Sequence, residues 1–199
     1  MTPPNWGQVP RGQVSIKGRV MNRRMSRVNP AHSSRRETNK RMSGMKIITI
    51  SGAHSGVGKT TLAEMLLKKL KKWSALKVTV SHTGFCPKGK PCGACDDLKA
   101  KFCIVSDEKI ITEAGKDTAR FKASGAEKAL WLRAKPEGLK EGIRKVIPRF
   151  RGAKGILIEG TSVLKYLDPD LAIFVKRKDS ILKPSAKSAL KKMDLIIDL

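Results

Sequence analysis

The run Ala53-His54-Ser55-Gly56-Val57-Gly58-Lys59-Thr60 carries the clearest chemistry in the chain. It fits the Walker A spacing of phosphate-binding loops, with Ala53 where a first glycine usually stands; a small residue suffices there. Such a loop must wrap its backbone N–H groups around a β-phosphate, so Gly56 and Gly58 supply unusual dihedrals and close approach. Lys59 is expected to reach the β/γ oxygens, and the Thr60 hydroxyl to ligate Mg²⁺. A helix opening at Thr61 would point its positive end at the same phosphates. A Mg²⁺-bound nucleotide also calls for an acid at the end of a neighbouring strand. Glu159, closing Gly155-Ile156-Leu157-Ile158 and followed by Gly160, is the candidate; Asp168 and Asp170 precede a strand rather than follow one.

The second constellation is sulfur. All four cysteines fall in one stretch, Cys86, Cys92, Cys95 and Cys103, with the spacing C-x5-C-x2-C-x7-C. A C-x2-C pair flanked by Pro91 and Gly93 makes a tight turn that aims two sulfurs at one ion, and Cys86 and Cys103 can complete a tetrahedron. Four thiolates on Zn²⁺ leave two negative charges, which Lys88, Lys90, Lys99 and Lys101 would offset. The spacing matches neither the ferredoxin signatures nor the common ribbon of two C-x2-C pairs. Zinc is the favoured occupant; an iron–sulfur cluster and four free thiols are the other readings.

These residues need a scaffold, and from Met45 onward the pattern is regular. Lys46–Ile50 reads as a buried strand, followed by the glycine-rich loop and a helix over Thr61–Trp73, with Leu62, Leu66, Leu70 and Trp73 on one face. Lys68, Lys69, Lys71 and Lys72 crowd its last turns, where the helix dipole favours cations. Leu76–Ser81 reads as a second strand, Gly84–Phe102 as a cysteine-bearing loop, and Asp107–Ala114 as a short helix closed by Gly115. Asp117 is the expected N-cap of a further helix ending near Gly125. Lys128–Leu132 is strand-like. Pro136 opens a helix whose Leu139, Ile143, Val146 and Phe150 share a face. Gly155–Ile158 and Leu171–Val175 are short apolar strands, Lys187–Lys192 a basic helix, and Asp194–Leu199 a last strand that either lies at an edge or marks a truncated chain. Strands alternating with helices predict an α/β fold, a mostly parallel sheet with helices on both faces, as in P-loop NTPases, carrying a cysteine-bearing loop insertion.

The chain has 199 residues, 42 Lys plus Arg against 17 Asp plus Glu, and a formal net charge of +25. Its longest apolar run, Leu171–Val175, is far short of the roughly 20 residues that span a membrane. Four cysteines without an export signal point to a reducing compartment, the cytoplasm. Residues 1–44 hold ten Lys/Arg and one acid, Glu37, in a segment rich in Pro, Ser, Asn and Arg with no apolar periodicity. Such a segment cannot bury enough surface to fold. The reading taken is that translation starts at Met42 or Met45 and this tail lies outside the working protein; a nucleic-acid-binding arm and an organellar presequence are the alternatives.

Four stretches together resemble one family. Ser51–Thr61 (SGAHSGVGKTT) before a leucine-rich helix, Val80–Thr83 (VSHT), Gly115–Ala126 (GKDTARFKASGA) and Ile156–Gly160 (ILIEG) are similar to the molybdopterin-guanine dinucleotide biosynthesis protein B (MobB) family of P-loop proteins. The likeness covers roughly residues 45–199, and the family's segment G-x-D-[ST]-x-R-x-x-x-x-G-A carries most of its weight. It falls here on Asp117, Thr118, Arg120, Gly125 and Ala126, with His82 as the histidine of the preceding turn. The resemblance implies a GTP-binding, weakly hydrolysing accessory protein that assists nucleotide attachment to molybdopterin, acting as a homodimer beside a molybdopterin guanylyltransferase. It implies Arg120 as an anion contact, to a phosphate or the pterin phosphate, and His82 as a residue lining the site. The chain departs from the family at the cysteine cluster, which is not a general feature of it. It also lacks an Asn-Lys-x-Asp guanine-reading motif, so GTP and ATP stay open.

The leading expectation is therefore Mg²⁺-dependent nucleotide binding with slow phosphoanhydride hydrolysis. Lys59 and the loop amides would stabilise charge, Thr60 and Glu159 would hold Mg²⁺, and Arg120 would neutralise phosphate. No residue stands out to position water, hence the slow turnover. The alternatives on the same fold are an ATP-dependent small-molecule kinase, with Asp117 near the acceptor, and a metal- or cofactor-delivery ATPase. A nucleic-acid-binding module is disfavoured: five Phe, three Trp and one Tyr leave little for base stacking, so polyanions are expected to bind only nonspecifically through the basic charge.

Overall fold

The β-branched run after Met45 becomes the centre of a sheet. In a computed structural model describing residues 19–20, 44–81, 98–178, 182, 184–190 and 192–199, eight strands form one sheet. They are β1 (Arg19–Val20), β2 (Lys46–Gly52), β3 (Trp73–Val80), β4 (Phe102–Val105), β5 (Ala129–Ala134), β6 (Gly155–Glu159), β7 (Leu171–Lys176) and β8 (Leu195–Asp198). Their order is β1-β8-β7-β2-β6-β3-β5-β4. Neighbouring strands are parallel except at the two edges, where β4 runs antiparallel to β5 and β1 antiparallel to β8. Strands covered on both faces must be apolar throughout, and β6 is buried at all five positions, Glu159 included.

Five α-helices connect the strands among the described residues: α1 (Lys59–Leu67), α2 (Glu108–Ile111), α3 (Asp117–Ala123), α4 (Leu139–Val146) and α5 (Pro184–Leu190). Successive strand residues point to opposite faces, and β5 shows how the two faces are used. Trp131 lies under Lys116 at the start of α3, whereas Leu132 packs against Gly142 of α4. Leu139, Ile143, Val146 and Phe150 are all buried, as their spacing predicts, although the helical stretch divides into 3₁₀ turns over Pro136–Gly138 and Ile147–Phe150 flanking α4.

Several boundaries differ from those read in the sequence. The helix after the glycine-rich loop stops at Leu67 instead of reaching Trp73, and its buried side chains are Ala63 and Leu67. The lysine-rich turn 68–72 ends it, with Lys72 at φ 62°, and Trp73 opens β3, where its ring lies against Gly155. Phe102, expected in the loop, begins β4, an edge strand that hydrogen-bonds to β5. Helix α2 is confined to Glu108–Ile111, with Asp107 as its cap, accepting a hydrogen bond from the Lys109 N–H. Asp117 is the first residue of α3 and not its cap; its carboxylate is engaged elsewhere. The basic helix falls at Pro184–Leu190, earlier than Lys187–Lys192. Within the tail expected to remain outside the fold, Arg19–Val20 pairs with Ile196 and Leu195 of β8, so β8 is not the outermost strand. Among the described residues, no helix is long and apolar enough to cross a membrane.

Candidate functional site

In an open α/β sheet, the crevice lies beyond the carboxyl ends of the strands where the chain changes direction across the sheet. Here β2 is followed by β3 on one side, while β6 lies between them and is followed by β7 on the other side of β2. The loop from Ala53 to Gly58 leaves β2 at this point and enters α1. Val57 is fully buried and anchors it, and the Ala53 N–H donates to the Val175 carbonyl at 3.1 Å. Gly56 and Gly58 have φ of 78° and 105°, values that L side chains adopt only with strain. Gly52, just before the loop, is required for a different reason: a Cβ there would stand 2.7 Å from Val57 Cγ1 and 2.9 Å from Lys59 Cγ.

Lys59 opens α1, whose first backbone N–H groups have no partner within the helix. Its ammonium donates to the His54 carbonyl across the loop at 2.7 Å. One residue on, Thr60 Oγ1 lies 3.0 Å from Asp117 Oδ1 and 3.0 Å from Glu159 Oε2, two acceptors for its single proton. Thr61 faces solvent. The sequence thus brings Lys59, Thr60, Asp117 and Glu159 to one place from α1, α3 and β6.

The group that completes this cluster is Lys77, which motif reading does not single out. Lys77 of β3 is in register with Glu159 of β6, so the two side chains rise from the same face. Lys77 Nζ donates to Glu159 Oε1 at 2.7 Å and forms an ion pair with Asp117 Oδ2. A lysine between Leu76 and Val78 in a central strand is the signal that could have found it, because a charge in that position needs a partner. Burial alone would push the Lys77 ammonium down, but the Glu159 and Asp117 carboxylates overturn that and hold it above the ordinary lysine value. Burial alone would push Asp117 up, and the Lys77 ammonium and Thr60 hydroxyl hold it below the ordinary aspartate value instead.

Beside the cluster, a cleft of about 340 Å³ opens over the ends of β3 and β6, lined by Lys59, Lys77, Ser81, Glu159, Thr161 and Ser162 among others. Thr161 Oγ1 also accepts the Gly52 N–H at 3.4 Å, linking the floor of the cleft to the root of the loop. Arg120, one turn along α3 from Asp117, sends its guanidinium fork to Glu64 of α1, with both N···O distances 2.8 Å. Cys103 is an exposed thiol on β4, opposite Arg133 in the register. His82, Cys86, Cys92 and Cys95 lie outside the described residues.

A hydroxyl and a carboxylate are hard oxygen donors that suit Mg²⁺, although both carboxylates of the cluster are paired with the Lys77 ammonium here. Thr60 Oγ1 and Glu159 Oε2, already within hydrogen-bond distance, are the pair that would hold one. A comparison with protein-family models finds no match to this chain, and a comparison with curated proteins finds none.

Proposed function

We propose that this chain is a Mg²⁺-dependent, nucleotide-binding P-loop protein that hydrolyses its nucleotide slowly. The observation that carries the reading is the approach of Thr60, at the start of α1 after a loop with two positive-φ glycines, to Glu159 at the carboxyl end of the adjoining strand, with Lys59 lining the same cleft. The loop amides and Lys59 would bind the β- and γ-phosphates, and Thr60 and Glu159 would hold the metal. Bound Mg²⁺ supplies charge neutralisation of the phosphate oxygens. In the reaction, water attacks the γ-phosphorus and the bond to the β–γ bridging oxygen breaks, leaving nucleoside diphosphate and phosphate. Arg120 becomes a phosphate contact by exchanging Glu64 for the nucleotide.

GTP as the nucleotide, assistance to molybdopterin guanine dinucleotide formation, a homodimeric state and a guanylyltransferase partner rest on the resemblance of four sequence stretches to the MobB family. In the same reading Cys86, Cys92, Cys95 and Cys103 hold Zn²⁺, and the exposure of Cys103 is compatible with that role. A kinase reading is favoured by the hydroxyl-lined cleft beside Lys59, which has room for a small acceptor.

Phosphate release from GTP and from ATP tests the reaction. The proposal predicts slow, Mg²⁺-dependent release from GTP that is lost in Lys59→Ala. Rapid ATP consumption only when a small hydroxylated acceptor is added would replace it with the kinase reading.

A further inference from the structure

Glu159 and Asp117 face each other across the Thr60 hydroxyl, and the cation between them is the protein's own. Lys77 Nζ touches Glu159 Oε1 at 2.7 Å and pairs with the second carboxylate, Asp117, while Thr60 Oγ1 is 3.0 Å from an oxygen of each. Four groups from α1, β3, α3 and β6 thus close on one another. The ammonium shares its carboxylates with the hydroxyl that the nucleotide reading assigns to the metal. The register of β3 against β6 fixes this arrangement, because Lys77 and Glu159 sit directly opposite on parallel strands. Lys77 and Glu159 both line the open cleft that also contains Lys59, but the Lys77 side chain is 20% exposed against 2% for Glu159, and its long flexible stem can turn into that space.

We propose that Lys77 is a built-in counter-ion that closes the Thr60–Glu159 cation position in the nucleotide-free protein and swings into the cleft toward the phosphates when the metal enters with the nucleotide. The inference rests on the reading of Thr60 and Glu159 as the metal-holding pair. Its physical basis is charge. A divalent ion arriving alone must displace an ammonium from a largely buried carboxylate and then sit next to it, with like-charge repulsion and no compensating anion. A divalent ion arriving with a polyphosphate brings the anion that Lys77 can turn to. Lys77 thereby makes metal binding conditional on nucleotide and acts as a positioning residue through Glu159 and Asp117.

The test uses Mn²⁺ alone, followed by the loss of the free-ion electron paramagnetic resonance signal on titration into the full chain. Lys77→Met is expected to bind Mn²⁺ at least about tenfold more tightly than the wild type without nucleotide. Lys77→Arg, which keeps the charge, stays at the wild-type level, and adding Glu159→Gln to Lys77→Met removes the gain. Lys77→Gln repeats the comparison with a side chain that can still hydrogen-bond to the carboxylates, should the methionine variant fail to fold. Equal Mn²⁺ affinity in a folded Lys77→Met or Lys77→Gln protein and the wild type overturns the proposal. So does tight Mn²⁺ binding by the nucleotide-free wild type that Glu159→Gln abolishes, which needs no Lys77 variant. Because no nucleotide is present, these outcomes are independent of whether GTP or ATP binds.

Discussion

Glu159→Ala removes a carboxylate on a side chain that is 2% exposed, one that accepts from Lys77 at 2.7 Å and lies 3.0 Å from the Thr60 hydroxyl. Breaking a buried ion pair on one side costs about 3–5 kcal/mol, and a single hydrogen bond to a charged group contributes about 1.5–3 kcal/mol. Lys77 keeps Asp117 as a counter-charge, so its ammonium is not left alone, and the lower end applies: about 3 kcal/mol. Glu159→Gln should cost far less, about 1 kcal/mol, because its amide oxygen can still accept from Lys77 and the Thr60 hydroxyl can accept from its amide group. Urea unfolding followed by circular dichroism reads both. With a slope of about 2 kcal/mol per molar, the alanine variant's midpoint falls by about 1.5 M and the glutamine variant's by about 0.5 M. An alanine midpoint within about 0.3 M of wild type would refute the argument, since Glu159 would then contribute nothing by its contacts. A glutamine variant as unstable as alanine would refute the partition between charge and hydrogen bonding.

Gly52→Ala, whose Cβ would press on Val57 and the stem of Lys59, should lower stability by about 1–3 kcal/mol and abolish the stabilisation in thermal unfolding that the proposal expects from GTP with Mg²⁺. Unchanged nucleotide stabilisation in that variant would show that the root of the loop tolerates a side chain. Asp117 is held below the ordinary aspartate value in the folded protein, so its contribution is present above the unfolded-state value of about 3.9 and is lost as pH falls through the lower folded value. Urea midpoints measured from neutral to acid pH should therefore fall less steeply over that acid range in Asp117→Asn than in wild type; parallel curves would contradict the sign. Metal analysis of anaerobically purified protein should find about one zinc per chain, reduced in Cys103→Ser, and a metal content indifferent to that change would remove Cys103 from the ligand set.

The strands were legible where burial is two-sided. Gly155–Ile158 and Leu171–Val175 are uninterrupted apolar runs, and a run of that kind has few alternatives in a chain punctuated by Gly and Pro. The helix from Lys59 was legible in type and not in length, because leucines at helical spacing continue past Leu67 while the backbone turns at Lys72, a non-glycine residue with positive φ. Edge pairing was not legible at all. The two residues of β1 are too few to show a pattern, and the four of β4, Phe102–Val105, are a short apolar run whose antiparallel pairing with β5 nothing in the sequence marks. At the site, Lys59 and Thr60 follow from motif spacing, and Glu159 from its place at the end of an apolar strand. Lys77 follows from register alone, since the pairing of β3 with β6 across the sheet joins residues 82 positions apart. Arg120 could be named from its motif, yet its fork meets Glu64, an i+4 neighbour of Thr60 on α1 that no motif marks.

The most direct test of the account is a competition titration of a fluorescent guanine nucleotide with unlabelled GTP and ATP, in Mg²⁺, on the full chain and on Lys59→Ala. The account predicts saturable binding displaced by GTP in preference to ATP and lost in Lys59→Ala. Failure of either nucleotide to bind the wild type, or binding that survives Lys59→Ala undiminished, would contradict the assignment of this loop as the phosphate cradle.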